Sequence, residues 1–321
     1  MEDINDNQYI ELEYATKLFN QKILLGPGHC DCGHANFSIQ IYNNLKTSNV
    51  VFRCSNNKCR KRYPIRVNSF FSLFPRVRLD VCSEIIKAFI CLEFNISKST
   101  EYRRKEKHII ISDKVVRKVY KEIKDIIYRY YLRAYESEPL GLLNVHKYFS
   151  CDESLFSHTK DHSQVYVLGI IDNTTKDFRL EGTTLSYSET LKNFVKKFVA
   201  PGHTIVTDGW SGYSFLEDEG YIRDEHNHGG GDFGFGISST SHIKSLWHNL
   251  KDSITNIYNM IPSRNFVSFL RESEWRIKNR AKKWDDKINE FFLCYQLVSD
   301  VEDSVLASNE FLKDSDRDMI L

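Results

Sequence analysis

Proline is scarce, with six in 321 residues. That excludes long proline-rich spacers and argues against extended disordered linkers. No window approaches the roughly 18 consecutive apolar residues of a membrane span, so no membrane partner is expected. The first residues offer no apolar signal core either. Glu2, Asp3, Asp6, Glu11 and Glu13 stand there against Lys17, so a secretion signal is not expected. An intracellular, reducing compartment follows, and there the eight cysteines are metal ligands or buried thiols rather than disulfides. Charge of one sign is also lacking overall, since 44 basic residues face 43 acidic ones. That balance excludes a uniformly polycationic protein but hides strong local asymmetry.

The asymmetry falls in blocks. Arg53, Lys58, Arg60, Lys61, Arg62, Arg66, Arg76 and Arg78 follow one another with no acid between them. Basic residues predominate again from Tyr102 to Arg133, and Glu302, Asp303, Glu310, Asp314, Asp316 and Asp318 make the C-terminal tail acidic. Local basic blocks govern phosphate binding more than the total does. A solvated surface face is the plain alternative for any one of them.

Four cysteines cluster early, in His29-Cys30-Asp31-Cys32-Gly33 and in Cys54-Ser55-Asn56-Asn57-Lys58-Cys59. Two close pairs on tight turns, with strands between them, suit a tetrahedral zinc site. Phe37, Ile39 and Ile41, then Val50, Val51 and Phe52, fit a hairpin between the turns. The intervals inside the pairs depart from the usual two residues, so His29 competes with Cys30 as first ligand, and His34 is a weaker substitute. Cys82, Cys91, Cys151 and Cys294 lie on apolar segments and read as core. Arg60, Lys61, Arg62 and Arg66, set on a rigid knuckle, form an expected phosphate grip.

Leu79 to Phe94 carries apolar residues at helical spacing, and Asn95 and Ser97 break the pattern. A second helix starts near Ser112 with the apolar stripe Val115, Val116, Val119, Ile123, Ile126, Ile127 and Tyr130. Its opposite face carries Lys114, Arg117, Lys118, Lys121, Lys124 and Arg129. The pair reads as a helix-turn-helix-like DNA-binding segment, against the alternative of a solvated amphipathic helix.

From Val145 the pattern changes to short strand-like runs: Val145–Cys151, Val165–Ile171, Phe178–Thr183 and Thr204–Thr207, with a helix at Ser188–Val199. Three strands, a helix and a further strand is the order of an α/β ribonuclease-H-like domain, a mixed sheet with flanking helices. Asp152 is expected to end the first strand and Asp208 the fourth. In that fold the two strands are neighbours, so the carboxylates converge and can share Mg²⁺ or Mn²⁺. A turn or helix cap is the bland role for either aspartate alone.

These residues resemble the Merlin-type and bacterial insertion-sequence (ISXO-like) DDE transposases. The matching stretches are Asp152-Glu153-Ser154, Val165 to Asp172, Pro201 to Trp210 with Tyr213, Asn227-His228, Ile243 with Trp247 to Lys251, and Phe269-Leu270-Arg271 with Glu274-Trp275-Arg276. Cys59-Arg60, Ile65-Arg66 and Ser69-Phe70-Phe71 extend the likeness into the cysteine segment. The resemblance implies DNA transposition by metal-dependent strand cleavage and transfer, transposon ends as partner, homo-oligomers, and Asp152 and Asp208 as metal ligands. It also implies a nuclear location.

The third position departs from the family pattern, in which an acid, or sometimes Asn or His, precedes tryptophan by three residues. Here the stretch is Ile243-Lys244-Ser245-Leu246-Trp247. A protonated lysine cannot ligate a divalent ion and repels it. Glu272 and Glu274 are unsupported substitutes, and Glu153 is expected to face away. The expected organisation is an acidic segment (1–24), a zinc-ribbon-like module (25–75), a helical DNA-binding segment (76–140), the ribonuclease-H-like domain (141–282), and a C-terminal helix with acidic tail (283–321). Three readings stay open: a transposase-like enzyme impaired at Lys244, a non-catalytic DNA-binding derivative, and a structural or partner-binding protein whose basic faces are merely solvated.

Overall fold

In the computed structural model, described for residues 6–42, 50–93, 95–108, 110–137, 139–141, 145–158, 164–184, 188–226, 234–253 and 266–305, the chain divides into two units. The first comprises Met1–Ile123 with Lys283–Leu297, and the second Lys124–Lys282 with Val298–Leu321. Among the described residues no helix is long and apolar enough to cross a membrane.

The first unit opens with α1 (Asp6–Asn20), followed by an antiparallel sheet of β1 (Phe37–Ile41), β2 (Val50–Cys54) and β3 (Arg62–Pro64). α1 buries Ala15 and Leu18, and Phe19 lies 5.4 Å from the Phe52 ring, so the acidic N-terminal stretch is part of this core. Three helices follow: α2 (Leu79–Ile90), α3 (Ile96–Glu106) and α4 (Asp113–Ser137). α3 departs from the expected break at Asn95. That residue is its N-cap, with a side chain that accepts the Lys98 backbone N–H at 2.9 Å and satisfies one of the donors left open in the first turn. Helical periodicity misses α3 because it buries only Ser99 and Arg103, and so has no apolar stripe. The first part of α9 (Trp284–Val305) returns to this unit. Phe292 stacks on Phe71, and Phe291 meets Phe70 edge-on. Cys82 and Cys294 are buried here as expected, and Cys91 is half-buried.

The second unit is built on a five-stranded sheet. Its strands are β4 (Tyr148–His158), β5 (Gln164–Asp172), β6 (Phe178–Thr183), β7 (Thr204–Thr207) and β8 (Ile222–Glu225), in the order β6-β5-β4-β7-β8. The first three pair antiparallel, while β7 runs parallel to both β4 and β8. α5 (Ser188–Phe198) joins β6 to β7, and the short α6 (Phe215–Asp218) precedes β8. A small hairpin of β9 (Gly234–Phe235) and β10 (Ser238–Ser239) leads into α7 (Ser241–Ser253), and α8 (Phe266–Asn279) follows. This mixed sheet with flanking helices is the ribonuclease-H-like fold.

Alternating residues of β5 and β6 explain the core on one face. Val165, Val167, Ile171, Phe178 and Leu180 pack with Ile243, Leu246, Trp247 and Leu250 of α7 and with Phe266, Phe269 and Leu270 of α8. Strand β6 lies at the edge of the sheet, where an open backbone invites unwanted pairing. α8 closes it: Glu274 accepts the Leu180 N–H at 3.1 Å, and Arg271 donates to the Leu180 carbonyl at 2.8 Å and to Glu274 at 2.6 Å. Glu274 is fully buried, and burial raises its pKa well above the ordinary carboxylate range.

Candidate functional site

β4 does not stop at Asp152, as the apolar run suggested, but continues to His158. Asp152 therefore sits in mid-strand, paired across β5 with Gly169. The strand that ends there is its parallel neighbour. Ser150 pairs with Val206, so two residues further along each strand Asp152 and Asp208 fall side by side on one face. Asp208 lies just past β7, at a turn where Gly209 adopts φ +83°, a conformation costly for any residue with a Cβ. That turn brings the Trp210 N–H to the Asp208 carboxylate at 3.1 Å.

Asp152 is held at both oxygens. Oδ2 accepts the indole N–H of Trp247 at 3.0 Å, and Oδ1 accepts the Glu153 backbone N–H at 3.0 Å. Its pKa is raised to about 6, burial being the largest cause. The indole N–H and the Lys244 ammonium oppose the rise, whereas the Asp208 carboxylate adds to it. The two aspartates and Lys244 therefore share one electrostatic environment. Lys244 is exposed on α7, one turn before Trp247, and acts on Asp152 through space; no ion pair joins it to either aspartate among the described residues.

The other acids considered from the sequence are engaged elsewhere. Glu153 points away from Asp152 along the strand, as expected, and accepts the buried Tyr213 hydroxyl at 2.9 Å. Glu272 is 1% exposed and lies between Lys124 and Arg276, while Glu274 is the edge clamp of β6. Asn227, His228 and the Gly229–Gly231 loop lie outside the described residues. Asp172, part of the resemblance, accepts Lys147 at 2.8 Å and the backbone N–H groups of Thr174 and Thr175, which fixes the turn from β5 to β6.

In the first unit the sulfurs of Cys30, Cys32, Cys54 and Cys59 all lie within 4.8 Å of one another. Cys30 and Cys59 are 3.5 Å apart, and Cys32 and Cys54 are 3.7 Å apart. A tetrahedron with Zn–S bonds of about 2.3 Å has sulfur–sulfur edges of about 3.8 Å, so the donor set fits a closed four-thiolate metal site. His29 and His34 are not part of the convergent group. The Cys30 thiol is lowered to about 6, first by the Cys32 backbone N–H and then by the Tyr63 hydroxyl, which donates to its sulfur at 3.3 Å. Burial pushes Cys54 up to about 12.

The basic residues divide. Arg60, Lys61 and Arg62 are exposed beside the second knuckle, Lys61 paired with Asp31 and Arg62 set 4.3 Å from the Tyr42 ring. Lys114, Arg117, Lys118 and Lys121 line one exposed face of α4, and Lys98, Arg104 and Lys105 on α3 add exposed cations that sequence periodicity did not flag. Arg66 is a correction. It is 5% exposed, donates to the Phe74 carbonyl at 3.1 Å and sits 3.7 Å from the Glu11 carboxylate. A guanidinium buried against a partner on α1 is a core tie, unavailable to phosphate.

A strand-borne aspartate pair on a ribonuclease-H-like sheet is the framework of a DDE-type domain. Residues 151–278 match the family model described as the ISXO2-like transposase domain, and this match supports an ISXO-like DDE transposase domain in that part of the chain. No curated protein matches the chain. Among solved structures, the HTLV-2 integrase catalytic core domain in complex with magnesium is similar at 13% identity and a TM-score of 0.28, over 42% of this chain and 86% of that one. The simian T-cell lymphotropic virus intasome in complex with the PP2A regulatory subunit B56 gamma is similar at 13% identity and a TM-score of 0.29, over 44% of this chain and 51% of that one. The assignment rests on the sheet order and the family match.

Proposed function

We propose that this chain is a transposase-like DNA-processing protein that binds DNA through its first unit and whose strand cleavage is impaired at Lys244. The observation that carries the reading is the juxtaposition of Asp152 and Asp208 on neighbouring strands, with an ammonium group at the position where the family has an acid. An Mg²⁺ or Mn²⁺ ion held by the two aspartates would supply Lewis acidity and an activated water or 3′-hydroxyl for phosphodiester exchange. The chain's own residues orient Asp152 through Trp247 and Asp208 through the Trp210 N–H. Lys244 lowers the negative potential that would attract the ion.

The four cysteines are read as zinc ligands that pin the knuckle bearing Arg60, Lys61 and Arg62. Together with the basic face of α4, that knuckle is the proposed phosphate-binding surface. The ribbon-like (25–75), helical (76–140) and transposase-like (141–282) divisions carry over as functional segments. A homo-oligomer and a nuclear location go with action on paired DNA ends. The second reading, a non-catalytic DNA-binding derivative, is favoured by the same lysine.

Two measurements test this. Affinity for a random-sequence DNA duplex should fall about 100- to 1000-fold between 50 and 200 mM salt, as expected for several neutralised phosphates. The combined replacement of Lys114, Arg117 and Lys121 by alanine should flatten that dependence. With Mn²⁺, the natural protein should nick supercoiled plasmid no faster than Asp208→Asn, and Lys244→Glu should nick it. Nicking by the natural protein that Asp208→Asn abolishes would remove the impairment; salt-independent affinity would remove the DNA surface.

A further inference from the structure

The indole of Trp247 does more than fill the core between α7 and the sheet. Its N–H meets Asp152 Oδ2 at 3.0 Å, and its far edge lies over Gly169, the cross-strand partner of Asp152. A Cβ built on Gly169 would stand 2.5 Å from the Cη2 atom of that ring and 2.8 Å from its Cζ2 atom, closer than real contacts allow. Phe156 packs edge-on against the same indole, with ring centroids 6.0 Å apart and planes at 69°. The ring thus lies in a slot that the missing side chain of Gly169 leaves open, and there its N–H meets one carboxylate oxygen.

We infer that Trp247 is a positioning residue for Asp152, and that Gly169 is the residue that permits it. The indole N–H engages Oδ2 and the Glu153 N–H engages Oδ1, so the carboxylate is held in one orientation. The hydrogen bond also ties α7 to β4, which fixes the height of Lys244 one turn earlier. Groups that hydrogen-bond a metal-binding carboxylate usually change metal affinity or activity by about 10- to 100-fold when removed. The functional half of this inference rests on the proposed reading of the aspartate pair; the geometric half does not.

The test uses the whole chain. In a ¹H–¹⁵N spectrum the indole signal of Trp247 is identified by its loss in Trp247→Phe. Asp152→Asn, which replaces a charged acceptor with a neutral one, should move that signal upfield and leave the indole signals of Trp275 and Trp284 in place. Gly169→Ala should move it as well, since the ring must leave its slot. A Trp247 signal unchanged by Asp152→Asn overturns the inference, because a ring that merely packs does not sense the acceptor's charge. In the Lys244→Glu background, Trp247→Phe should raise the Mn²⁺ concentration for half-maximal nicking about 10-fold or more, with DNA affinity unchanged. An unchanged half-maximal concentration overturns it too. If Lys244→Glu does not nick at all, the proposed function fails and the spectrum alone decides the positioning role.

Discussion

Removing zinc from the purified protein should open the cysteine module while the transposase-like domain stays folded. The two knuckles, His29–His34 and Cys54–Arg60, are mostly exposed turns and contribute little to the apolar core. Their geometry depends on four sulfurs that already stand near tetrahedral spacing. Binding of structural zinc by such thiolates supplies about 10–16 kcal/mol at neutral pH, as much as the whole stability of an ordinary domain. About one zinc per chain is expected on metal analysis of protein purified without chelators. After chelation, limited proteolysis should cut first between about residues 25 and 75. Cys54→Ser should lose the zinc without a chelator. Cys82→Ser should keep it, because Cys82 is a buried core thiol outside the cluster. A metal-free protein with unaltered protease resistance would mean that the cysteines only pack.

Glu272→Ala should cost about 3–5 kcal/mol in urea unfolding, the range for stranding buried cations. Glu272 lies 3.1 Å from Lys124 Nζ and 2.8 Å from Arg276 Nη2, and it accepts Arg276 Nε at 2.9 Å. Its side chain is 1% exposed and that of Arg276 is 3% exposed, so water cannot take over as the partner of Arg276, whereas Lys124, 31% exposed, can turn to solvent. The double replacement Glu272→Leu with Arg276→Met should be much milder, since it removes both the buried charge and its need for a partner. A loss below about 1 kcal/mol in the single variant would show that Glu272 is in practice solvated, and would reopen it as a carboxylate available to the aspartate pair.

Much of the sheet was legible because β5 and β7 are short apolar runs and β6 alternates apolar with polar residues, and the order of these strands pointed to the ribonuclease-H-like arrangement. The length of β4 was not. Its second half, Asp152 to His158, mixes acids and hydroxyls with Leu155 and Phe156, and a half-polar strand carries a weak signal. The placement of Asp152 beside Asp208 depends on β7 ending at Thr207 and not on where β4 ends. Arg66 was misread because a run of charges says nothing about depth; its partner Glu11 comes from a segment distant in sequence. α3 was missed because a helix that buries a serine and an arginine has no apolar period. Trp247 was visible as part of a motif, but its bond to Asp152 was not. The one available clue was Gly169, a small residue inside an otherwise bulky strand, where a close approach by another group is a common cause.

Asp152 and Asp208 are proposed to form one divalent-ion site that Lys244 blunts. Mn²⁺ binding, followed by electron paramagnetic resonance on zinc-loaded protein, addresses it most directly. The natural protein should take up no Mn²⁺ at concentrations that saturate Lys244→Glu, and adding Asp208→Asn to Lys244→Glu should abolish the uptake. Equal Mn²⁺ affinity in the natural protein and Lys244→Glu, or uptake by Lys244→Glu that survives the loss of Asp208, would contradict the account.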